Sequence, residues 1–355
     1  MRALNKILII RFSSIGDIVL ASSLIRALRM SYPDALIDFL VKSEYAELVR
    51  FNPHLSSVIT LRTSKMEELT DLRRRIGSER YDAIFDIHNS LRSRFLRLFS
   101  GAKHVSVVNK RVLPRFVLVK FKRNLYNEVL SVANRYLETA AMYGVHDDGK
   151  GLEIFIPDDT ASAVLAIMGK YNLTRYERVV GFAPAAKHYT KRWLPERFVE
   201  LGIKLAKQER AKILVFGGKN DSDFCGDIAQ LINSDLDSSA AESLAGKFSL
   251  LEIAAALDYC HVVVSNDTGV MHLAAARKRN VVAIFGSTVR EFGFFPYKTK
   301  NLVIEQEGLP CRPCSHIGLA QCPKGHFKCM RDINVDRVLS ATRELFEPPI
   351  ENKRS

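Results

Sequence analysis

The feature that most constrains the fold is an alternation of short apolar strands with helical patterns along the whole chain. Strands of this kind are typical of parallel sheets, because a helix follows each strand and covers a face of the sheet. In the first half, helices are predicted at 17–30 and 66–77, and a longer helical pattern covers 128–143. The strands predicted for this half are 6–11, 36–41, 57–61, 81–87 and 105–108.

The second half repeats the scheme, and each of its strands ends in small or polar residues. The four strands are "RVVGFAP", "AKILVFGG", "CHVVVSND" and "NVVAIFGS", and the helices between them are predicted at 194–208, 250–259 and 269–278. Gly, Asp and Pro cluster between the two halves, which indicates a linker.

We therefore predict an α/β protein of two Rossmann-like, doubly wound domains, at 1–158 and 159–335. Residues 336–355 are expected to form a C-terminal helix and tail, for which packing back on the first domain is one option. Ligands of such sheets bind at the carboxyl ends of the strands. The cleft between the two domains is accordingly the predicted active site.

The charge balance is basic, with 52 Lys and Arg against 39 Asp and Glu, and a net charge of +13. This excess indicates a polyanionic partner. Ten cations and no acidic residue lie between Asp86 and Glu128, interleaved with Phe and Val in "RVLPRFVLVKFKRNL". The run suits either nucleic acid or an anionic lipid surface or phosphorylated glycolipid. No nucleic-acid motif accompanies it, which favours the lipid.

The N-terminal apolar run is too short for a signal peptide, because Arg11 and Asp17 interrupt it. No apolar stretch approaches the roughly 18 residues that cross a bilayer. We expect a cytoplasmic protein, peripheral at most to a membrane.

Four cysteines lie close together in "CRPCSHIGLAQCPKGHFKC". In a reducing compartment, four thiols so near in sequence suit a tetrahedral zinc ion, although this spacing matches no standard zinc finger. A structural zinc site is therefore one interpretation, and metal-free thiols are the other. The candidate ligands are Cys311, Cys314, Cys322 and Cys329.

The stretch "RFSSIGDIVLAS" joins the first strand to the first helix. It has one glycine where a dinucleotide-binding loop has three, and it carries an aspartate where a phosphate would lie. Ser14 and Gly16 keep the turn small, so that a substrate can approach. Asp17 either caps the helix through the helix dipole or acts as a general base.

The stretch "SNDTGVMHLAAA" also joins a buried strand to a helix. Unpaired backbone N–H groups at the helix start can hold a phosphate. Gly269 permits close approach of the ligand, Thr268 adds a hydroxyl donor, and His272 lies one turn further on the same face. The alternative is that Asp267 only caps the helix.

Three further strand ends carry candidate donor-binding residues. The loop after "GFAP" bears Lys187 and Lys191, which suit a diphosphate or form a solvated basic loop. Gly217 and Gly218 permit a tight turn, and either Asp221 or Asp223 is placed to accept hydrogen bonds from ribose hydroxyls. Phe248 precedes a helix with a predicted capping box and is placed to stack on a base.

Together, "RFSSIGDIVLAS", "KRWLPERF", "LAGKFSLLE" and "SNDTGVMHLAAA" resemble glycosyltransferase family 9, the ADP-heptose:lipopolysaccharide heptosyltransferases, in the same order over nearly the full length. The resemblance implies a GT-B fold that binds the acceptor with the first domain and the nucleotide sugar with the second. It also implies inverting transfer of a heptose from an ADP-sugar that requires no metal or other cofactor. The acceptor implied is lipid A bearing acidic Kdo sugars, at the cytoplasmic face of the inner membrane.

The resemblance assigns roles to individual residues. Asp267, Thr268, Gly269 and His272 match the family's donor diphosphate-binding turn, Lys191 its donor-binding lysine, and Phe248 an apolar residue beside the adenine. "HNSLRSRF" resembles the acceptor-side loop. The expected acceptor-side residues are Ser14, Gly16, Arg92, Ser93, Arg94, Lys110 and Arg111.

We therefore expect an inverting glycosyltransferase, with Asp17 as base and Lys191 supporting the leaving group, active as a monomer without a nucleic-acid partner. A family 9 transferase with another nucleotide sugar is one alternative. An oxidoreductase on two Rossmann-like domains is another, which the missing G-x-G-x-x-G motif disfavours. A non-catalytic polyanion-binding protein is the third.

Overall fold

The chain folds into two compact units, as seen in a computed structural model that describes residues 4–63 and 65–346. The first unit comprises the described residues of 1–115, 126–157 and 291–298. The second comprises those of 116–125, 158–290 and 299–355. The main division falls close to the predicted boundary, whereas 116–125 and 291–298 belong to the unit opposite to the one predicted.

Seven helices and five strands are described before the main division. The strands are β1 (Lys6–Ile10), β2 (Leu36–Lys42), β3 (Ser57–Leu61), β4 (Ala83–Asp86) and β5 (His104–Val107). The helices are α1 (Ile15–Leu20), α2 (Ser22–Ser31), α3 (Glu47–Arg50), α4 (Met66–Ser78), α5 (Leu91–Arg97), α6 (Val112–Phe121) and α7 (Val132–Glu138). All five strands form one parallel sheet in the order β3-β2-β1-β4-β5, as predicted for a doubly wound domain.

Two of the predicted helices differ from the structure. The helix predicted at 17–30 is divided into α1 and α2, because the hydroxyl groups of Ser22 and Ser23 donate to backbone carbonyls of the preceding turn. The pattern at 128–143 shortens to α7, whose start is set by Ser131 through a hydrogen bond from the Ala133 N–H to its hydroxyl.

The second half of the chain has six strands in the described residues. They are β6 (Arg178–Ala183), β7 (Ala211–Val215), β8 (Ala241–Ser243), β9 (Val262–Asn266), β10 (Asn280–Phe285) and β11 (Asn301–Glu305). They form a parallel sheet in the order β11-β10-β9-β6-β7-β8. Sequence analysis missed the two edge strands, β8 and β11, which are less completely buried than the central strands. The apolar content of β8 is one alanine, and the apolar run of β11 is only three residues long.

Seven helices are described in this half of the chain. They are α8 (Asp158–Met168), α9 (Pro195–Glu209), α10 (Ser222–Leu236), α11 (Leu250–Ala256), α12 (Gly269–Ala276), α13 (Lys328–Arg331) and α14 (Val335–Glu344). Those at 195–209, 250–256 and 269–276 lie close to the predicted 194–208, 250–259 and 269–278, whereas those at 158–168, 222–236 and 328–331 were not predicted. Pro195 occupies the first turn of α9, where its missing N–H costs no hydrogen bond. Ser249 and Glu252 form the predicted capping box of α11.

The C-terminal helix α14 lies on the second unit. Val338 and Leu339 join the same buried cluster as Trp193 and Phe198, and α14 contacts α9, β10 and β11. For 336–355, packing on the first domain is one of the options that the sequence leaves open. The structure places the described part on the second unit, and residues 347–355 lie outside the described residues.

In the part of the chain that the structure describes, the helices are too short or too polar to cross a bilayer.

Close packing of α9 on α10 depends on Gly202. A Cβ at this position would lie 3.0 Å from Ile232 Cγ1 and closer still to its Cδ1. Because overpacking a core forces its neighbours to shift, we expect Gly202→Ala to lower the free energy of unfolding by about 1–3 kcal/mol. Urea unfolding followed by the fluorescence of Trp193, which is buried in the same cluster, measures this change.

Gly226 of α10 provides the matched control, since a Cβ there would meet no atom within 4 Å. Gly226→Ala should raise the free energy of unfolding by up to about 1 kcal/mol, because alanine favours a helix over glycine. Equal effects of the two substitutions would contradict the packing described here.

Candidate active site

Each sheet changes its winding direction at one pair of neighbouring strands. In the first unit the chain proceeds outwards from β1 through β2 to β3 on one side, and from β4 to β5 on the other. In the second unit the corresponding pair is β6 and β9. Helices after the two strands of such a pair cover opposite faces and leave a crevice at the carboxyl ends, where ligands bind. Most of the candidate residues follow these four strands.

Asp17 lies at this point of the first unit, in the first turn of α1. Its Oδ2 accepts hydrogen bonds from the Ser14 N–H at 3.1 Å and the Ser14 hydroxyl at 2.9 Å. Its Oδ1 lies 2.6 Å from Arg11 Nη2 and accepts a hydrogen bond from the Tyr136 hydroxyl at 3.0 Å. The Arg11–Asp17 pair is only 11% exposed on each side chain. Thus the helix-capping contact expected as the alternative is present, together with a buried ion pair.

These contacts determine the charge state of Asp17. Burial alone would raise its pKa, but the Arg11 guanidinium and the hydrogen bonds from Ser14 and Tyr136 hold the pKa below its ordinary value of 3.8. Asp17 is therefore an ionised carboxylate at neutral pH. It is able to accept a proton, and its low pKa makes it a weak base.

Arg11, His88 and Tyr136 are further candidate site residues that sequence analysis missed. His88 follows β4, beside β1, and burial together with the charges of Arg11 and Lys110 lowers its pKa to about 3. A neutral imidazole in this place can donate or accept a hydrogen bond. The position of His88, two residues after the end of central strand β4, could have identified it as a candidate from sequence alone. Tyr136 lies on α7, far away in the chain, and no sequence pattern indicates that it contacts Asp17.

The remaining acceptor-side candidates differ in their exposure and in their partners. Lys110 is partly buried and its pKa is lowered by burial and by nearby Arg11 and Arg115, which places it within the electrostatic reach of the Asp17 site. Arg92 and Arg94 are exposed on α5. Gly16 is buried within α1.

Ser93 and Arg111 have local structural partners instead. Ser93 is fully buried, and its hydroxyl accepts a hydrogen bond from the Ser90 N–H at the start of α5. Arg111 Nη2 donates to Glu138 Oε1 at 3.2 Å. Both side chains are thus engaged in contacts near their own helices, and their assignment to the acceptor stays a prediction.

In the second unit, a buried ion pair lies between the loops that follow β6 and β9. Lys191 Nζ is 2.8 Å from Asp267 Oδ2, and the Thr288 hydroxyl donates to the same oxygen at 2.8 Å. A carboxylate repels a phosphate, so Asp267 is poorly suited to contact a diphosphate directly. Its contacts show that it orients the ammonium group of Lys191, which suits that task.

Buried polar groups hold the Lys191 loop in place. Asn266, at the end of β9, donates to the Pro184 carbonyl at 2.6 Å and accepts from the Trp193 N–H at 3.1 Å. Thr190 is buried and exchanges hydrogen bonds with Leu319 through its backbone and hydroxyl. These hydrogen bonds connect the loop after β6 to the end of β9 through Asn266, and to Leu319 through Thr190.

Gly318 allows this segment to approach the Lys191 loop. Its φ of +100° lies in the region that favours glycine. A Cβ at this position would lie 2.7 Å from His188 Cβ and 3.0 Å from Lys191 Cδ. The backbone at 318 therefore packs directly against the stem of the candidate donor-binding lysine.

The start of α12 has the accessibility that a phosphate site requires. Thr268 is its N-cap residue, and Thr268 and Gly269 are both partly exposed, so the N–H groups of the first turn remain within reach of a ligand. His272 is only 2% exposed and lies inside the helix packing. The predicted anion-binding turn thus includes Thr268 and Gly269, with His272 beneath it.

The other donor-side candidates are distributed around this edge of the second sheet. Asp221 Oδ2 accepts from the Gly218 N–H at 3.1 Å, which closes the turn after β7 and occupies one carboxylate oxygen. Phe248 is 8% exposed and packs before α11. Lys187 is exposed on the loop after β6.

The four clustered cysteines do not form a metal centre within the described residues. Cys311 Sγ lies 3.7 Å from His326 Nε2, and the Cys314 thiol donates to the Cys311 carbonyl. Cys329 belongs to the buried core, where burial raises the pKa of its thiol to about 12. In residues 4–63 and 65–346, no three His, Cys, Asp or Glu side chains are arranged to hold an ion. The structure therefore gives no support to the zinc interpretation.

Comparison with known proteins agrees with this arrangement. Residues 69–323 match the family model described as "Glycosyltransferase family 9 (heptosyltransferase)". Lipopolysaccharide heptosyltransferase 2 of Salmonella typhimurium is 27% identical, over 81% of this chain and 84% of its own length.

Two solved structures extend the comparison to the fold. The glycosyl transferase family 9 protein of Veillonella parvula has a TM-score of 0.79 at 20% identity, over 96% of this chain and 97% of its own. The structure described as E. coli ADP-heptose lps heptosyltransferase II has a TM-score of 0.72 at 25% identity, over 96% and 98%. Both matches include both α/β units, which confirms the predicted GT-B fold.

The hydrogen bond from Tyr136 to Asp17 makes a pH-dependent contribution to stability. At neutral pH we expect Tyr136→Phe to lower the free energy of unfolding by about 1.5–3 kcal/mol, since the acceptor is charged. Because the folded pKa of Asp17 is depressed, this contribution is present above 3.8 and is lost as the pH falls through the lower folded pKa. Urea unfolding followed by circular dichroism at a series of pH values measures both effects.

Tyr32 supplies a matched control in the same unit. Its buried hydroxyl donates to the neutral Tyr143 carbonyl at 2.7 Å. Tyr32→Phe should lower the free energy of unfolding by only about 0.5–1.5 kcal/mol. This loss should not change as the pH falls and Asp17 becomes protonated. A Tyr136→Phe cost that is equally small, or that does not change with pH, would show that the hydroxyl does not stabilise an ionised Asp17.

Proposed function

The chain belongs to glycosyltransferase family 9, and we therefore propose that it transfers a heptose from ADP-heptose to the inner core of lipopolysaccharide. The acceptor is lipid A–Kdo or an already heptosylated core. The transfer inverts the anomeric carbon and needs no catalytic metal. The names of the similar proteins support the heptose, the ADP-sugar and the lipopolysaccharide.

The observation that carries the donor assignment is the position of Lys191 beside the start of α12, at the β6–β9 switch point. An ammonium group and unpaired helix N–H groups both attract a diphosphate. As the bond between the sugar and ADP breaks, negative charge grows on the leaving diphosphate. Groups held in place before the reaction stabilise this charge without a cost for reorganisation.

Asp17 is the proposed base. The acceptor hydroxyl attacks the anomeric carbon, the bond from that carbon to the diphosphate oxygen breaks on the opposite face, and the hydroxyl proton passes to the Asp17 carboxylate. Contacts with Arg11, Tyr136 and Ser14 hold the carboxylate ionised and in one orientation. A weak base suits a transfer in which the hydroxyl becomes acidic only as its bond to carbon forms.

Cations of the first unit are proposed to bind the acidic acceptor. Arg92 and Arg94 are exposed, and Lys110 lies electrostatically close to Arg11 and Asp17. The carboxylates of Kdo sugars and lipid A phosphates are suitable partners for these groups. This assignment is consistent with a place for the enzyme on the cytoplasmic face of the inner membrane.

The donor class is tested by thermal shift with ADP-, UDP- and GDP-sugars at equal concentrations. We expect the ADP series to raise the melting temperature, because only a ligand bound to the folded state stabilises it. The same panel with Lys191→Ala should give a smaller ADP shift. A response to UDP- or GDP-sugars instead would replace the proposed donor, and silence from all three would contradict the donor site.

Asp17→Asn and Lys191→Ala test the two chemical roles by steady-state kinetics. Asp17→Asn should lower kcat by about 10²–10⁴-fold while ADP-sugar binding persists, because the amide cannot accept the hydroxyl proton. Lys191→Ala should lower kcat by about 10²–10³-fold at saturating donor, because it removes support from the leaving group.

Lys187→Ala is the matched control for Lys191→Ala, since both lysines belong to the loop after β6, Lys187 is exposed, and Lys191 is the one held by Asp267. We expect Lys187→Ala to change kcat much less. Equal losses of kcat in the two lysine variants would show that the loop contributes only general positive charge.

Full turnover by a folded Asp17→Asn variant would show that Asp17 is not the base.

A further inference from the structure

Helix α6 turns apolar side chains outwards. Val112, Leu113 and Phe116 are 58%, 67% and 55% exposed, and they share one face at positions i, i+1 and i+4. Leu118 lies on the opposite face and is buried. Phe121, at the end of the helix, is also exposed, and its ring contacts that of Phe116 with centroids 6.0 Å apart. We call the exposed group Val112, Leu113, Phe116 and Phe121 the α6 patch.

The α6 patch differs from the other exposed apolar residues on long helices. Leu165 of α8 and Leu231 of α10 are also well exposed, but each is the one large apolar residue of its helix that is so exposed. Single residues of this kind are normal on protein surfaces, whereas several together mark a contact with a partner or a membrane. A helix that packs only against its own protein directs its large apolar residues inwards. Helix α6 instead exposes four of them to solvent.

Cations accompany the patch. Arg115 and Lys120 lie on α6, and Lys122 and Arg123 follow it directly. Lys120 and Arg123 are exposed and have no carboxylate within 4 Å in the described residues. Three other cations of the same acid-free run do have carboxylate partners: Arg97 with Asp86, Lys103 with Asp82, and Arg111 with Glu138. The unneutralised charge thus remains beside the apolar side chains.

The end of α6 is held by the protein itself. Lys122 Nζ donates to the carbonyls of Val119 and Pro313. Together with the burial of Leu118, this fixes which face of the helix is outward. The patch is therefore presented without a need for the helix to fold on a surface.

We propose that the α6 patch docks this protein on an anionic phospholipid bilayer, with the apolar side chains in the interface and Lys120 and Arg123 against lipid phosphates. Apolar tips flanked by cations complement a bilayer surface, which is apolar below its headgroups and negatively charged at them. The docking is independent of the proposed transfer reaction, because it requires phospholipid alone and no glycolipid acceptor.

Vesicle flotation tests the docking. The full chain is mixed with phosphatidylcholine vesicles that contain phosphatidylglycerol, with vesicles of phosphatidylcholine alone, and with RNA as a competing polyanion. We expect binding to the anionic vesicles only, and about a tenfold or greater loss of partitioning in the double variant Leu113→Glu, Phe116→Glu. Lys120→Glu with Arg123→Glu should also weaken binding and reduce its dependence on salt.

Leu165→Glu and Leu231→Glu are the matched controls, since each places the same charge on an exposed apolar position of another helix. Both should bind anionic vesicles as the unaltered chain does. Unaltered melting temperatures, and unaltered thermal shifts with ADP-sugars, show that the α6 variants remain folded and keep their donor response. Loss of vesicle binding with an intact donor response separates this proposal from the proposed function.

Insertion is measured with Phe116→Trp. The chain has a single tryptophan, Trp193, which is fully buried, so a change in emission on adding vesicles reports the introduced indole. We expect a shift to shorter wavelength with anionic vesicles and quenching by brominated lipid. Binding that leaves this emission unchanged, that survives the α6 double variant, that needs lipopolysaccharide in the vesicle, or that RNA replaces would overturn the proposal.

Discussion

The reversal of winding direction in each parallel sheet is the constraint on which the candidate site depends. Parallel strands direct all their carboxyl ends to one edge, and at the reversal the helices leave towards opposite faces. The loops after β1 and β4 therefore meet in the first unit, and those after β6 and β9 meet in the second. Asp17 and Lys191 occupy these two places because of strand order, which local sequence does not encode.

Both places contain a carboxylate neutralised by a cation of the protein: Asp17 by Arg11, and Asp267 by Lys191. Burial makes each isolated charge costly, so removal of either partner leaves an uncompensated ion. The pairing also fixes the orientation of each charged group. Asp17 is held ionised and oriented by Tyr136, whereas Asp267 serves to orient its lysine. Under the proposed function the two aspartates therefore differ in role: the carboxylate of Asp17 acts on the substrate, whereas Asp267 acts through the cation of Lys191.

The net charge of +13 is distributed unevenly in a way that suits both proposals. Arg97, Lys103 and Arg111 are paired with carboxylates of the protein. Lys120 and Arg123 remain exposed beside apolar side chains, where a bilayer is the complementary surface. An enzyme whose acceptor is embedded in a membrane gains by being held there, since the effective concentration of the two partners rises.

The sequence by itself determined the parallel α/β class, most strand positions, the capping box at Ser249, and the family resemblance, because these follow from local periodicity and short motifs. Only the tertiary structure revealed the ion pair of Arg11 and the hydrogen bond of Tyr136 with Asp17. It also revealed the ion pair between Asp267 and Lys191, and the hydrogen bonds by which Asn266 connects two loops. It also placed Ser93 in a helix cap, separated α1 from α2, and left the clustered cysteines without a metal geometry. Hydrogen bonds and ion pairs between residues far apart in the chain depend on which strands become neighbours. That choice is made by the packing of the whole sheet, and no local pattern contains it.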